Sequence, residues 1–555
     1  MTKDRLIYLP LGGAGEIGMN TYVYGWGKPG AERLIVVDLG VTFPDMDSSP
    51  GVDLIMADVA WLVERRDRID GIFITHGHED HLGAIGILWE KLRVPVHVRP
   101  FTALLARGKL DEAGAPATAL NIVGPWPQVT EAGPFSVGFL PVSHSIPESA
   151  GLMIDTPAGR IIHTGDFKID RNPVVGEAFD PDLWRDVAKD GVRALVCDST
   201  NVFSTHEGRS ESTLGPELEQ LMRSAGGMMV ATTFASNVAR LRTLAYAAKA
   251  AGRTVCLLGR AMRRMVEAAT EAGLLTDFPK TVSPEEAADL PRNKLLLLVT
   301  GSQGERRAAS AQLAQGTYLG LSLKEGDTFL FSSKTIPGNE RGVIKIMNQL
   351  SEKGVIVVDD QNGRYHVSGH ANRPDLAAMH ALIRPDVLIP MHGEHRHLRE
   401  HVTLGTEAGL TGIVATNGMM IDLTAGKPRV AEYVDTGRLY LDGSVLIGAM
   451  DGVVRDRIRM ALNGHVLVTM ILDEKDEPLG DPWCEIMGLP GTGRSNAALS
   501  DVIEADLSQF VNRAERKTLR DEVRLDKELT RIVRQTAQSE IGKKPEVTVV
   551  VSRLS

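Results

Sequence analysis

Short apolar runs that stop abruptly at polar or glycine residues punctuate the first part of the chain, at 6–11, 34–39, 71–74, 94–98, 139–142, 159–163 and 193–197. Their length and lack of helical spacing predict buried strands, whereas 82–92 has the spacing of a helix. From about residue 210 the texture changes. Stretches 216–224, 238–251 and 262–272 predict helices, alternating with strands at 227–232 and 254–258 and with strands that end at Phe234, Val299 and Phe331. Regular alternation of this kind predicts a parallel sheet with its own core, inserted into the first domain. Farther on, 466–471 and 546–551 predict strands around a charged helical span at 500–540, reached through a polar connector at 451–459. The charges of that span are expected to form a solvated face.

The chemistry stands where the strands end. After Gly71-Ile72-Phe73-Ile74 come His76, His78, Asp80 and His81, three imidazoles and a carboxylate within six residues. Alternate residues His76 and His78 leave the strand on one side, and Asp80 and His81 can face a second point. Neutral imidazole and carboxylate suit borderline divalent metals, and two ligand pairs suit two ions. His144 and Asp166 follow at the ends of later strands, and His392 ends the apolar run 388–390. Asp38, at the end of 34–39, either orients loops or touches substrate. Gly12 to Gly18 is glycine-rich, but another strand follows it where a dinucleotide fold would place a helix, so it reads as a tight turn near the metal loop.

In the insertion, Ala235-Ser236-Asn237 and the stretches after Val299 and Phe331 put small hydroxyl, amide and glycine residues after strands. Backbone N–H groups are presented to phosphate oxygens in this way. Asp198 ends another strand beside small polar residues, and His370 with Ser368 and Gly369 is poised for a phosphate. His366, His395 and His397 read as structural or surface residues, although His366 shares the loop of His370.

At 555 residues the chain exceeds one core and implies about three or four units. Hydrophobic residues make up 43%, and no apolar run is long enough to span a bilayer. The first five residues lead straight into a strand without a secretion signal. Cys197, Cys256 and Cys484 are odd in number and far apart, which points to a reducing cytoplasm without a disulfide framework. A net charge of -10 argues against indiscriminate polyanion binding but leaves room for a local basic channel.

From the metal loop to His144 and Asp166 the chain resembles the metallo-β-lactamase superfamily. With Asp198, His370 and His392 in order it resembles that superfamily's β-CASP branch, and within it the bacterial ribonuclease J family. The resemblance implies an αββα sandwich interrupted by a β-CASP α/β insertion, followed by a small α+β domain. It sets boundaries at 1–210 and 368–445 for the two parts of the sandwich, 211–367 for the insertion, 446–462 for a linker and 463–555 for the last domain. It also implies that His76, His78 and His144 hold one metal and that Asp80, His81 and His392 hold the second, with Asp166 bridging. Zinc is expected, with manganese or magnesium as alternatives. Relatives also hold a structural calcium near the matches to Gly51, Asp53 and Asp442. Many carry a histidine where this chain has Ala239, which puts any role of that side chain in doubt.

The expected activity is two-metal hydrolysis of single-stranded RNA, 5′-to-3′ and internally, in RNA processing and decay. Asp80, Asp198 and His370 would be the catalytic residues, His370 oriented by Asp198 to protonate the leaving oxygen. Ala235, Ser236, Asn237 and His366, Val367, Ser368, Gly369 and His370 would hold the nucleotide, including a 5′ monophosphate. Self-association through the last domain as a dimer or tetramer, and membership of an RNA-decay complex, are the expected partnerships, with no membrane. Three rivals stand beside this reading. A small-molecule hydrolase of the same fold has no use for the insertion, a β-CASP DNA nuclease shares every motif, and a catalytically dead RNA-binding subunit would be expected to have lost ligands that this chain keeps.

Overall fold

The computed structural model describes residues 3–336, 338–360 and 363–554. They form two compact units, one comprising the chain up to Thr42 with Met56–Arg438, the other Phe43–Ile55 with the chain from Leu439 onward. In the first unit, Arg5–Gly12, Thr21–Gly27, Arg33–Val37 and Ile69–Phe73 lie side by side in an eight-stranded sheet. A seven-stranded sheet places Gly159–His163, Ala194–Asp198 and Val387–Met391 side by side and parallel. The core between the sheets interdigitates Tyr8, Tyr22, Tyr24 and Phe73 with Phe139, Leu152, Val196 and Ile389. On the outer face of the seven-stranded sheet, Leu140, Ile162, Leu195 and Leu388 pack against Trp184, Leu376 and Met379 of the covering helices. The strands of each sheet present alternate residues to the two sides, as the pleat requires.

The insertion is a six-stranded sheet containing Thr254–Leu258, Leu295–Val299, Met229–Thr232 and Thr328–Phe331 in parallel register. Every residue of Leu295–Val299 is buried, because helices cover both faces of such a sheet. Leu295, Leu297 and Val299 enter one core cluster and Leu296 and Leu298 the other.

In the second unit Trp483–Met487, His465–Leu472 and Glu546–Arg553 form a three-stranded sheet. Val466, Val468, Met470 and Leu472 pack under Leu499–Val511 and Glu522–Ile541. The opposite face leaves Ile471, Trp483, Met487 and Val550 exposed.

Local structure departs from expectation in three places. The polar connector at 451–459 is instead part of a helix, Val453–Asn463, bounded by left-handed Gly452 and by Gly464, with Val454 buried. The charged span at 500–540 divides into Leu499–Val511, Arg516–Arg520 and Glu522–Ile541, the last capped by the Asp521 side chain. The predicted helix 82–92 begins earlier as Glu79–Leu82 and restarts as Ile85–Leu92, so His81 lies on a helical turn. No helix among the described residues is long and apolar enough to cross a membrane.

Candidate metal centre and its substrate face

Strand ends bring seven side chains to one point at the edge of the sandwich. Donor atoms of His76, His78, His144 and Asp166 lie within 4.8 Å of one another, as do those of Asp80, His81, Asp166 and His392. Asp166 is common to both sets. Within the first, His78 Nδ1 is 3.1 Å from both His76 Nε2 and His144 Nε2. In the second, His81 Nε2 is 3.2 Å from Asp166 Oδ2, and His392 Nε2 is 3.2 Å from Asp80 Oδ2. A tetrahedron of zinc–nitrogen bonds has edges of about 3.3 Å, so these spacings fit divalent cations.

The outward ring nitrogens fix the inward ones. Asp38 accepts from Thr75 N at 2.8 Å, from Thr75 Oγ1 at 2.9 Å and from His81 Nδ1 at 2.7 Å. Thr75 Oγ1, its proton given to Asp38, accepts from His76 Nδ1 at 3.0 Å. His144 Nδ1 donates to the Gly369 carbonyl at 2.6 Å. Each bond leaves an Nε2 lone pair aimed inward, as when an imidazole that holds a metal donates its other N–H to a carboxylate, hydroxyl or carbonyl. Asp38 therefore orients ligands. Its backbone (φ 63°) and that of His392 (φ 49°) are left-handed, a strain that a built site supports.

Lone pairs and carboxylates meeting in a buried space require positive charge. Asp166 Oδ1 sits 2.8 Å from His392 Nδ1 without hydrogen-bond geometry, and neither Asp166 Oδ1 nor His392 Nε2 has a hydrogen-bond partner. Burial opposes a charge on His392, yet Asp166 and Asp80 raise its pKa to about 10. In the first ligand set, burial lowers His78 to about 4. These observations fit a divalent-metal site spanning both sets.

The face opposite is built by the insertion and by the chain's return to the sandwich. His370 Nδ1 is 2.8 Å from Asp198 Oδ2, while Thr200 N and Oγ1 donate to Asp198 Oδ1 at 2.9 and 2.7 Å. Asn201 Nδ2 donates to Ser368 Oγ at 2.7 Å. A Cβ on Gly369 would stand 2.9 Å from His144 Cε1, so glycine permits the close approach of this loop to the His144 ring. A small cavity beside His144 is lined by Ser145, Lys168, Asn237, Ala239, Val367, Ser368 and Gly369, together with the carboxylates Asp170 and Glu211. Ala235 and Ser236 are half-buried and outside that lining.

His366 also lies outside it, 3.1 Å from Arg240 Nη1. Arg240 is wholly buried, pairs with both oxygens of Glu211 at 2.7 and 2.9 Å, and donates to Ser332 O at 2.7 Å. It anchors the loop at 365–367, a role with almost no signal in the sequence. Its only local mark is an arginine just inside a helix whose neighbours pack into a core.

Of the expected calcium residues, Asp53 accepts from Gly443 N at 2.8 Å and Asp442 pairs with Arg457 at 2.6 Å. A Cβ on Gly51 would meet Arg457 Nη1 at 3.0 Å. The positive charge beside Asp442 is thus a guanidinium.

Family profiles match in chain order: "Metallo-beta-lactamase superfamily" at 15–206, "Ribonuclease J, beta-CASP domain" at 226–350, "Zn-dependent metallo-hydrolase RNA specificity domain" at 360–415 and "Ribonuclease J C-terminal domain" at 452–554. Ribonuclease J of Sinorhizobium meliloti is 40% identical over 99% of this chain and 98% of its own length. Ribonuclease J of Mycolicibacterium smegmatis is 37% identical over 83% and 82%, and that of Thermus thermophilus 33% identical over 94% and 91%. A crystal structure of a protein of unknown function from Enterococcus faecalis aligns with TM-score 0.51 and 16% identity over 75% of this chain and all of its own, a likeness of fold alone.

Proposed function

The chain belongs to the ribonuclease J family and is a metal-dependent ribonuclease of the metallo-β-lactamase superfamily, and on that premise we propose that it trims single-stranded RNA from a 5′ monophosphate and also cuts internally. The observation that carries this reading is the cavity abutting metal ligand His144. Its wall combines the Asn237 amide and the Ser145 and Ser368 hydroxyls with the Lys168 ammonium, which is paired with Asp170 at 2.9 Å, and Glu211 in the same wall is neutralised by Arg240; the hydroxyl and amide donors suit a phosphate oxygen. Divalent cations in the two ligand sets, zinc by the donor chemistry with manganese or magnesium as alternatives, would supply Lewis acidity at the scissile phosphate and a lowered pKa for the attacking water.

The chain's own residues do the rest. Asp80 and Asp166 would supply the negative charge that retains the cations, and Asp166 belongs to both ligand sets. Asp198 orients His370 through Nδ1, leaving Nε2 to protonate the departing 3′ oxygen. Gly369 and Ser368 hold the loop against His144. At the carboxyl edge of the insertion's parallel sheet, Arg260, Arg264, Arg306, Arg307 and Lys334 are exposed on the segments after three strands. Loops at this edge are where such sheets bind ligands, and these cations suit the phosphates of an extended strand despite the acidic net charge.

The exposed apolar face of the last sheet, Ile471, Trp483, Met487 and Val550, supports self-association as a dimer or tetramer. Three buried, unpaired cysteines support a cytoplasmic setting, in which an RNA-decay complex could recruit the enzyme.

The test is product analysis on end-labelled single-stranded RNA bearing a 5′ monophosphate or triphosphate, with zinc or manganese and a chelator control. Metal-dependent release of mononucleotides from the monophosphorylated end, alongside internal fragments, is expected. Internal fragments alone would remove the exonuclease reading. DNA cleavage in preference to RNA would move the chain to the branch's DNA nucleases, and thioester or lactone hydrolysis without nucleic-acid cleavage to its small-molecule hydrolases.

A further inference from the structure

Behind Asp198 lies a line of buried polar groups that the chemistry above does not use. Ser199 Oγ is 2.9 Å from His401 Nδ1, and His401 Nε2 is 2.9 Å from His380 Nε2. The two rings meet edge to edge across this bond, their centroids 5.0 Å apart and their planes within 17° of parallel. Ser199 and His401 have no exposed surface and His380 has 1%. Burial keeps both imidazoles neutral, lowering His380 to about 4 and His401 well below its usual value.

The tautomers follow from one orphan. His380 Nδ1 is buried without a partner, and an unpaired lone pair there is tolerated better than an unpaired N–H. His380 therefore carries its proton on Nε2 and donates it to His401 Nε2. His401 must then hold its proton on Nδ1 and donate to Ser199 Oγ. The Ser199 hydroxyl is left to donate to the Cys197 carbonyl at 3.3 Å. Every bond runs in one direction.

The elements so joined are those that deliver the reactive groups. His380 is on the helix Arg373–Ile383, which starts just after His370 and is closed by a capping box of Asn372 and Asp375. His401 is on His395–Glu407, which starts just after His392. Ser199 immediately follows Asp198 at the end of Ala194–Asp198. Two successive helices and a strand end about two hundred positions earlier thus meet in one hydrogen-bonded line behind the residues they present.

We propose that His380, His401 and Ser199 are positioning residues: their one-directional relay locks the helices behind His370 and His392 to the strand end behind Asp198, fixing where the Asp198 carboxylate meets the His370 imidazole. The proposal rests on the reading that this pair serves leaving-group departure.

The experiment measures steady-state RNA cleavage, metal content and thermal stability of the full-length metal-loaded enzyme. His401→Leu should keep metal content and KM within about two-fold while kcat falls roughly ten- to hundred-fold, the range seen when partners orienting a site are removed. His401→Gln, whose amide can accept from His380 and donate to Ser199, should recover most of that loss. In an Asp198→Asn background His401→Leu should cost nothing more, because the effect passes through Asp198. Ser199→Ala removes only the hydroxyl and serves if His401→Leu fails to fold, with the same split of kcat from KM expected. A purely structural role predicts lowered stability with kcat unchanged, or an equal loss in both backgrounds, and either result overturns the proposal. If Asp198→Asn and His370→Ala are themselves fully active, the catalytic reading fails instead.

Discussion

The two banks of the site satisfy their polar groups in opposite ways. On the metal bank, His76, His78, His81, His144 and His392 turn lone pairs toward Asp80 and Asp166, and buried atoms stay without partners. On the insertion bank, Arg240 is equally buried, yet Glu211, Ser332, Tyr365, Val367 and His366 surround its guanidinium with acceptors. The metal bank is complete only with charge from outside, and the insertion bank supplies its own. A buried polar network is stable when its members are satisfied and costly when they are not. One bank should therefore respond to metal removal and the other to mutation of a single ion pair.

The largest effect expected is on the metal bank. Asp80→Ala or His81→Ala should abolish cleavage while RNA binding, measured by filter retention, stays detectable. An active variant would remove these residues from the site. His370→Ala should slow cleavage by about 10²–10⁴-fold with metal content unchanged by elemental analysis, and a parallel loss of metal would reassign His370 to the ligands.

On the insertion bank, Arg240→Met strands the Glu211 carboxylate and should cost about 3–5 kcal/mol in denaturant unfolding. Adding Glu211→Leu should return much of that. If the double variant were no more stable than Arg240→Met, the pair would not be the anchor described. The smallest effect belongs to the exposed edge, where Arg264→Ala or Arg306→Ala should leave the folded protein intact. Each should reduce the salt dependence of RNA binding by about 0.7 in log–log slope for every phosphate charge it no longer neutralises. An unchanged slope would take the RNA path elsewhere.

Much of the fold could be read along the chain because its signals are local. The buried run Leu295–Val299, the helix Val238–Ala250 capped by Asn237, and the polar stops after Phe73 and His163 each lie within one element. The helix Val453–Asn463 escaped because Val454 alone is buried among charged neighbours. Asp38 reads in the sequence as an end-of-strand acid, and its orienting of His81 is invisible there because the hydrogen bond between them spans 43 positions. Arg240 and His401 carried no decisive local mark. A buried arginine and a buried histidine look the same in sequence as solvated ones.

What the sequence by itself determined is the set of ligand types, their order, and their placement at the ends of apolar runs, because strand periodicity and metal preference are properties of neighbouring residues. What only the tertiary structure decided is which ring nitrogen faces the centre, through Asp38, Thr75 and the Gly369 carbonyl, and which buried pairs hold the substrate loop. Except for the bond between neighbours Thr75 and His76, those choices are hydrogen bonds between residues distant in the chain, His144 and Gly369 being 225 positions apart and Asp38 and Thr75 37 apart, and their geometry exists only once the sheets and helices have packed.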